Sequence, residues 1–200
     1  VAFGNLNEMR AAMSDKTAAI LVEPIQGEGG INPASTAYLQ SLRDIADEFN
    51  TLLIFDEVQC GMGRSGKLFA YEIANVAPDI MGLAKGIGGG FPVGAVLATE
   101  KAASGMVPGT HGSTYGGNPL AMAAANAVLD VMLEKDFLAS VLKNGTKLKN
   151  DLVSLVEKHS TVLESVRGVG LMLGIKSVGP NLELMAAFRE NKLLTVVAGE

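Results

Sequence analysis

Leu52-Leu53-Ile54-Phe55-Asp56-Glu57-Val58-Gln59 is the stretch on which the fold turns. A short apolar run closing on acidic residues predicts a buried strand over residues 51–58, with a carboxylate at its carboxyl end. Upstream, Thr17-Ala18-Ala19-Ile20-Leu21-Val22-Glu23-Pro24 is a second apolar run, ended by proline, and predicts another buried strand. Between the two, Tyr38, Leu39, Leu42, Ile45, Ala46 and Phe49 recur at helical spacing, so residues 35–49 read as an amphipathic helix. A strand–helix–strand unit of this kind predicts parallel strands joined by a right-handed crossover. Ligands of such sheets gather beyond the carboxyl ends of the strands. Asp56 and the glycine-flanked loop holding Glu28 both fall at that edge.

Working outward, two further short strands are expected over residues 80–84 and 93–99. Residues 118–134 are Ala-rich and open with Asn118-Pro119, which predicts a long helix. Residues 137–159 form a second helical pattern, with Gly145 a weak point inside it. The pattern changes from Val162: Val166-Arg167-Gly168-Val169-Gly170 precedes the apolar run Leu171 to Ile175, then a helix over 180–191, then a strand over 193–197. The fold class is therefore α/β. A mostly parallel sheet with flanking helices is expected over 1–135, a helical connector over 136–160, and an incomplete small α+β domain over 161–200. Val1 in place of Met, and a last strand that stops soon after it begins, suggest a piece of a longer protein.

Composition narrows the function. The chain has 200 residues, 48% of them hydrophobic, enough to bury a core. Its net charge is −5 and its basic residues are dispersed, which argues against nucleic acid as a partner. Apolar runs are short and interrupted, so no membrane helix is expected. The single cysteine, Cys60, suits a reducing, cytoplasmic setting, and Cys–His metal spacing is absent.

The second telling stretch is Leu83-Ala84-Lys85-Gly86-Ile87-Gly88-Gly89-Gly90-Phe91-Pro92. A lysine between an apolar run and a glycine-rich turn can be stripped of water and held against a flat cofactor, which makes its amine a covalent carrier. The glycine run lacks the Gly-Lys-Ser/Thr ending of a phosphate loop, so it reads as backbone freedom around the lysine. With a strand-end acid nearby, this points to pyridoxal phosphate. That chemistry needs a lysine to hold the cofactor and an acid to keep the ring nitrogen protonated. Lys85 fits the first role and Asp56 the second. By strand alternation Val58 lies on the side of Asp56, where it can press on the ring, and Gln59 can reach the ring hydroxyl. His111 reads as a loop histidine, Arg64 as a loop anchor or ion-pair partner, and Cys60 as a small packed residue.

Four segments carry a resemblance: Glu23-Pro24-Ile25-Gln26-Gly27-Glu28-Gly29-Gly30, Phe55 to Gly66, Ala84 to Ala95, and His111-Gly112-Ser113-Thr114-Tyr115-Gly116-Gly117-Asn118-Pro119-Leu120-Ala121. In this order they resemble the class III (ornithine-type) aminotransferases, and the likeness corresponds to the second half of a family member. The resemblance implies pyridoxal-phosphate transferase fold type I and a homodimer. It implies Lys85 as the catalytic lysine, and Asp56, Glu57, Val58, Gln59 and Thr114 as cofactor-binding residues. Thr114 would bind the phosphate across the dimer, Ser113 would lie near the substrate, and Glu28 would gate it. Within the class, the likeness is greatest to members acting on acetylornithine and 2-oxoglutarate. Ornithine, succinylornithine or 4-aminobutyrate as donor, and a truncated chain without catalysis, are the alternatives. The phosphate-binding turn, the aromatic residue stacked on the ring and the carboxylate-binding arginines of the family lie outside this chain.

Overall fold

The structure, a computed structural model, describes residues 1–199. The chain opens with α1 (Leu6–Ala12), whose first turn is capped by the Asn5 side chain accepting the Glu8 amide. Strand β1 (Ala19–Val22) follows, then a small antiparallel pair, β2 (Ile25–Gln26) and β3 (Asn32–Pro33). Helix α2 (Thr36–Glu48) is capped by Ser35 and leads to β4 (Leu52–Asp56). After it come α3 (Tyr71–Ala74), β5 (Ile80–Leu83), a single 3-10 turn over Lys85–Gly88, β6 (Ala95–Ala98) and α4 (Glu100–Ala103). Two long helices, α5 (Pro119–Met132) and α6 (Phe137–Lys158), precede a hairpin of β7 (Leu163–Val169) and β8 (Met172–Ser177), and α7 (Asn181–Glu190) completes the order.

The main sheet runs β1-β4-β5-β6. β1, β4 and β5 are parallel and β6 is antiparallel, so the predicted crossover pairing is present. Helix α2 buries Tyr38, Leu39, Leu42, Ile45 and Ala46 against Ile20, Leu53 and Phe55. Leu42 and Phe55 are fully buried, and each such side chain contributes about 1.5–3 kcal/mol. Arg43 of α2 pairs with Asp79 at 2.7 Å, and the same Asp79 oxygen accepts the Leu53 amide at 2.8 Å. Burial opposes the Asp79 charge, but the Leu53 amide and Arg43 outweigh it and hold the carboxyl below its ordinary value. A second core joins Met81 and Leu83 to Ile87, Ala125 and Met132, and so seats α5 beside the glycine-rich turn.

The structure departs from the sequence reading in three places. The described residues cover only one face of the main sheet: Leu21 on the other face is 68% exposed and Val96 74%. Residues 193–197 form no strand, because no strand among the described residues pairs with them; Leu194 and Val196 are exposed. The apolar run after Gly170 becomes β8, which pairs antiparallel with residues 163–169 and so makes a strand of a segment read as a mere lead-in.

Candidate functional site

Asp56 and Lys85 stand at the carboxyl ends of adjacent parallel strands. Asp56 is the last residue of β4 and pairs in register with Gly82, three residues before Lys85. Neighbouring strands lie about 4.8 Å apart, so β4 and β5 deliver Asp56 and, three residues beyond its register partner, Lys85 to the same end of the sheet. A Cβ at Gly82 would meet no atom within 4 Å, which leaves open space on the face that carries Asp56. Asp56 Oδ1 accepts the Val58 amide at 2.9 Å, an Asx turn that closes the strand, and Oδ2 takes no hydrogen bond among the described residues. Lys85 has φ +46, a left-handed conformation rare for a residue with a side chain. Such an outlier at the mouth of a glycine-rich turn points to a constraint set by function.

Around this pair the expected residues divide. Gln59 follows in the turn, with its side chain lying over Gly27; its Oε1 is buried and unpartnered. Val58 also lies in the turn, beyond the last paired residue, so strand alternation does not set its side, contrary to the sequence reading. Glu57 corrects a stronger expectation. Its carboxylate is turned into the protein, 0% exposed, and accepts the amides of Ala70 at 2.6 Å and Tyr71 at 2.8 Å. With both oxygens occupied away from the sheet edge, it offers no contact to a ring. Burial pushes the Glu57 carboxyl up to about 7, against those two amides, and the nearby Glu72 adds to the rise. Lys85 is exposed rather than stripped of water: α5 packs on the Ile87 side of the turn and leaves the lysine uncovered.

Glu28 is exposed in its loop. The loop is shaped by a residue the sequence reading passed over: Glu23 Oε2 accepts the Gly27 amide at 2.9 Å. An acid directly before Pro24 was the available signal. Ser113 and Thr114 lie on an exposed stretch, where Ser113 Oγ accepts the Gly116 amide at 2.9 Å. Cys60 is buried, and burial pushes its thiol up to about 12, so it is a packed neutral group and no nucleophile. Arg64 and His111 are exposed. The residues at the sheet edge fit pyridoxal phosphate: a carboxylate with a free oxygen, a neighbouring amine, open space at Gly82 and an orphaned amide oxygen on Gln59. No helix among the described residues is long and apolar enough to cross a membrane.

The family Aminotransferase class-III matches residues 2–200. The chain belongs to the class III aminotransferases. It is similar to acetylornithine aminotransferase 1 of Bradyrhizobium diazoefficiens, 56% identical over the whole of this chain and 49% of that protein. Among solved structures, ornithine aminotransferase of Plasmodium yoelii superposes with a TM-score of 0.92 at 36% identity, over 99% of this chain and 54% of its own. A taurine:2-oxoglutarate aminotransferase of Bifidobacterium kashiwanohense, solved with PLP and glutamate, gives 0.86 at 31% identity over 95% and 47%. The chain thus spans about half the length of the class III aminotransferases it matches. The α/β architecture expected from the sequence is the architecture of these relatives.

Proposed function

We propose that this chain supplies the lysine and the ring-nitrogen acid of a pyridoxal-phosphate aminotransferase that moves the terminal amino group of N2-acetylornithine to 2-oxoglutarate. The products are N-acetylglutamate 5-semialdehyde and glutamate. The observation that carries the reading is the register of β4 and β5, which sets Asp56 and Lys85 at the ends of neighbouring strands, with open space at Gly82 beside Asp56. The choice of donor is supported by the 51–56% identity to curated acetylornithine aminotransferases.

Bound at this edge, pyridoxal phosphate supplies an electron sink for the carbon that loses its proton. Asp56 holds the ring nitrogen proton through its free oxygen and so keeps the ring cationic. Lys85 would hold the cofactor through Nζ, and the same amine is the group that would carry a proton at this edge. Gln59 Oε1 accepts from the ring hydroxyl, and Val58 bounds the ring face. Thr114 binds the phosphate of a neighbouring subunit, Ser113 borders the substrate, and Glu28 gates the substrate carboxylate. A homodimer accounts for the exposed apolar side chains around Thr114, among them Tyr115, Leu120, Met106 and Val107. The rest of the enzyme covers the open face of the sheet. The reaction is cytoplasmic and its other partners are small molecules.

The test is Lys85→Ala in the assembled enzyme. The expected result is loss of the visible absorption of the lysine-bound cofactor and of turnover; a variant keeping both refutes the assignment. A donor panel with 2-oxoglutarate as acceptor checks the substrate, and a strong preference for ornithine or 4-aminobutyrate overturns acetylornithine.

A further inference from the structure

We propose that Glu57 is a positioning residue for this site: its buried carboxylate clamps the strand end carrying Asp56 to the backbone of Ala70 and Tyr71. The inference rests on the roles of Asp56 and Lys85 given above. Glu57 is held on every side. Its amide donates to the Gly82 carbonyl at 3.0 Å, which extends the β4–β5 ladder one residue past Asp56. Its carbonyl accepts the Gly61 amide, also at 3.0 Å. Its two carboxylate oxygens take the Ala70 and Tyr71 amides. The residue after the acid is thereby tied to the strand that delivers the amine, to the turn that carries Gln59, and to the start of α3.

The turn is built to close over this carboxylate. A Cβ at Gly61 would come within 2.7 Å of the Glu57 carbonyl oxygen and 3.0 Å of Oε2, so a side chain there would displace the clamp. The charged and titratable groups bearing on Glu57 are Glu72, from α3, and Cys60, from the turn; neither is a cation. The two amides are therefore what holds the carboxylate in place, and replacing one oxygen by an NH2 group leaves one of them without an acceptor.

The experiment is residue-resolved amide hydrogen exchange on Glu57→Gln. Exchange at Ala70 and Tyr71 is expected to rise by about 10-fold, the loss of roughly one hydrogen bond's stabilisation. Val58, whose amide is held by Asp56, is expected to rise with them, while Leu42 in α2 keeps its protection. Faster exchange at Ala70 and Tyr71 with Val58 unchanged overturns the proposal, since Glu57 is then only a cap for α3. In protein carrying the cofactor, the pH midpoint of the lysine-bound absorption is expected to shift in the same variant, and an unmoved midpoint also overturns it. Should the variant not fold, the unmodified protein serves. There the Val58 amide resonance is expected to inflect at the midpoint of the Glu57 carboxyl carbon, and a flat Val58 trace overturns the clamp. The Val58 readouts need no cofactor, so failure of the clamp and failure of the aminotransferase reading are separate results.

Discussion

Residues 56–66 and residues 104–117 both carry expected site residues, and they are packed in opposite ways. In the first stretch Glu57, Cys60, Gly61, Met62, Gly63, Ser65 and Gly66 are buried, and the turn is held by Glu57 inside and by the β7–β8 hairpin outside, where the Leu171 amide donates to the Arg64 carbonyl at 2.9 Å. In the second stretch every residue is exposed, Ser113 and Thr114 included. The lesson is that the stretch proposed to meet the ring nitrogen is shaped by contacts within this chain. The stretch proposed to meet the phosphate has no such packing among the described residues.

Phe55→Ala strikes the packed side hardest. Phe55 is fully buried beneath the Asp56 strand end, and its truncation is expected to cost about 3–5 kcal/mol in denaturant unfolding. A loss below about 1 kcal/mol would break the contrast, because the strand end would then not depend on core packing. Gly170→Ala comes next. Gly170 has φ +59, and a Cβ there would lie 2.5 Å from the Ser65 carbonyl carbon and 2.6 Å from the Arg64 oxygen. Backbone cannot yield as a flexible side chain can, so a loss of about 1–3 kcal/mol is expected, together with weaker retention of the cofactor by dialysis.

The pH dependence sharpens the same contrast. The Glu57 carboxyl stands at about 7 when folded against an ordinary 4.5, so within that window the folded protein keeps a proton that the unfolded chain has released. Its contribution to stability is fully present below 4.5 and is lost as pH rises through about 7. Glu57→Gln is expected to flatten that fall in a series of unfolding midpoints; an unchanged slope would mean another group carries it. The smallest stability effect belongs to Thr114→Ala, within about 0.5 kcal/mol of the parent because the residue is exposed, with looser cofactor retention as its signature. A large loss of stability would show that residues 104–117 are held by the chain after all.

Much of this was legible in the residue order. Short apolar runs located β1, β4 and β5, and a 3.6-residue period located α2, because burial leaves its mark on the residues of an element. Asp56 at the end of an apolar run and Lys85 before a run of glycines announced a shared sheet edge, since parallel strands bring their carboxyl ends together. The β7 strand was hidden by its polar residues Glu164, Ser165 and Arg167, which no alternation marks as half-buried. The strand expected over residues 193–197 failed for the converse reason: its apolar residues imply pairing, but pairing needs a neighbour that no local pattern supplies.

Order along the chain was therefore enough to put Asp56 and Lys85 at the ends of neighbouring strands of one sheet, because strand ends and glycine turns are local features with local signatures. It said nothing of which way Glu57 faces. Adjacent to Asp56 and identical in charge, Glu57 reads as a second site carboxylate, and its removal from the edge comes from the amides of Ala70 and Tyr71, more than ten residues away in sequence. Burial and hydrogen bonding between distant segments set the two acids apart, one at the strand end with an oxygen uncommitted among the described residues and one closed into the protein, and such contacts exist only once the chain has folded.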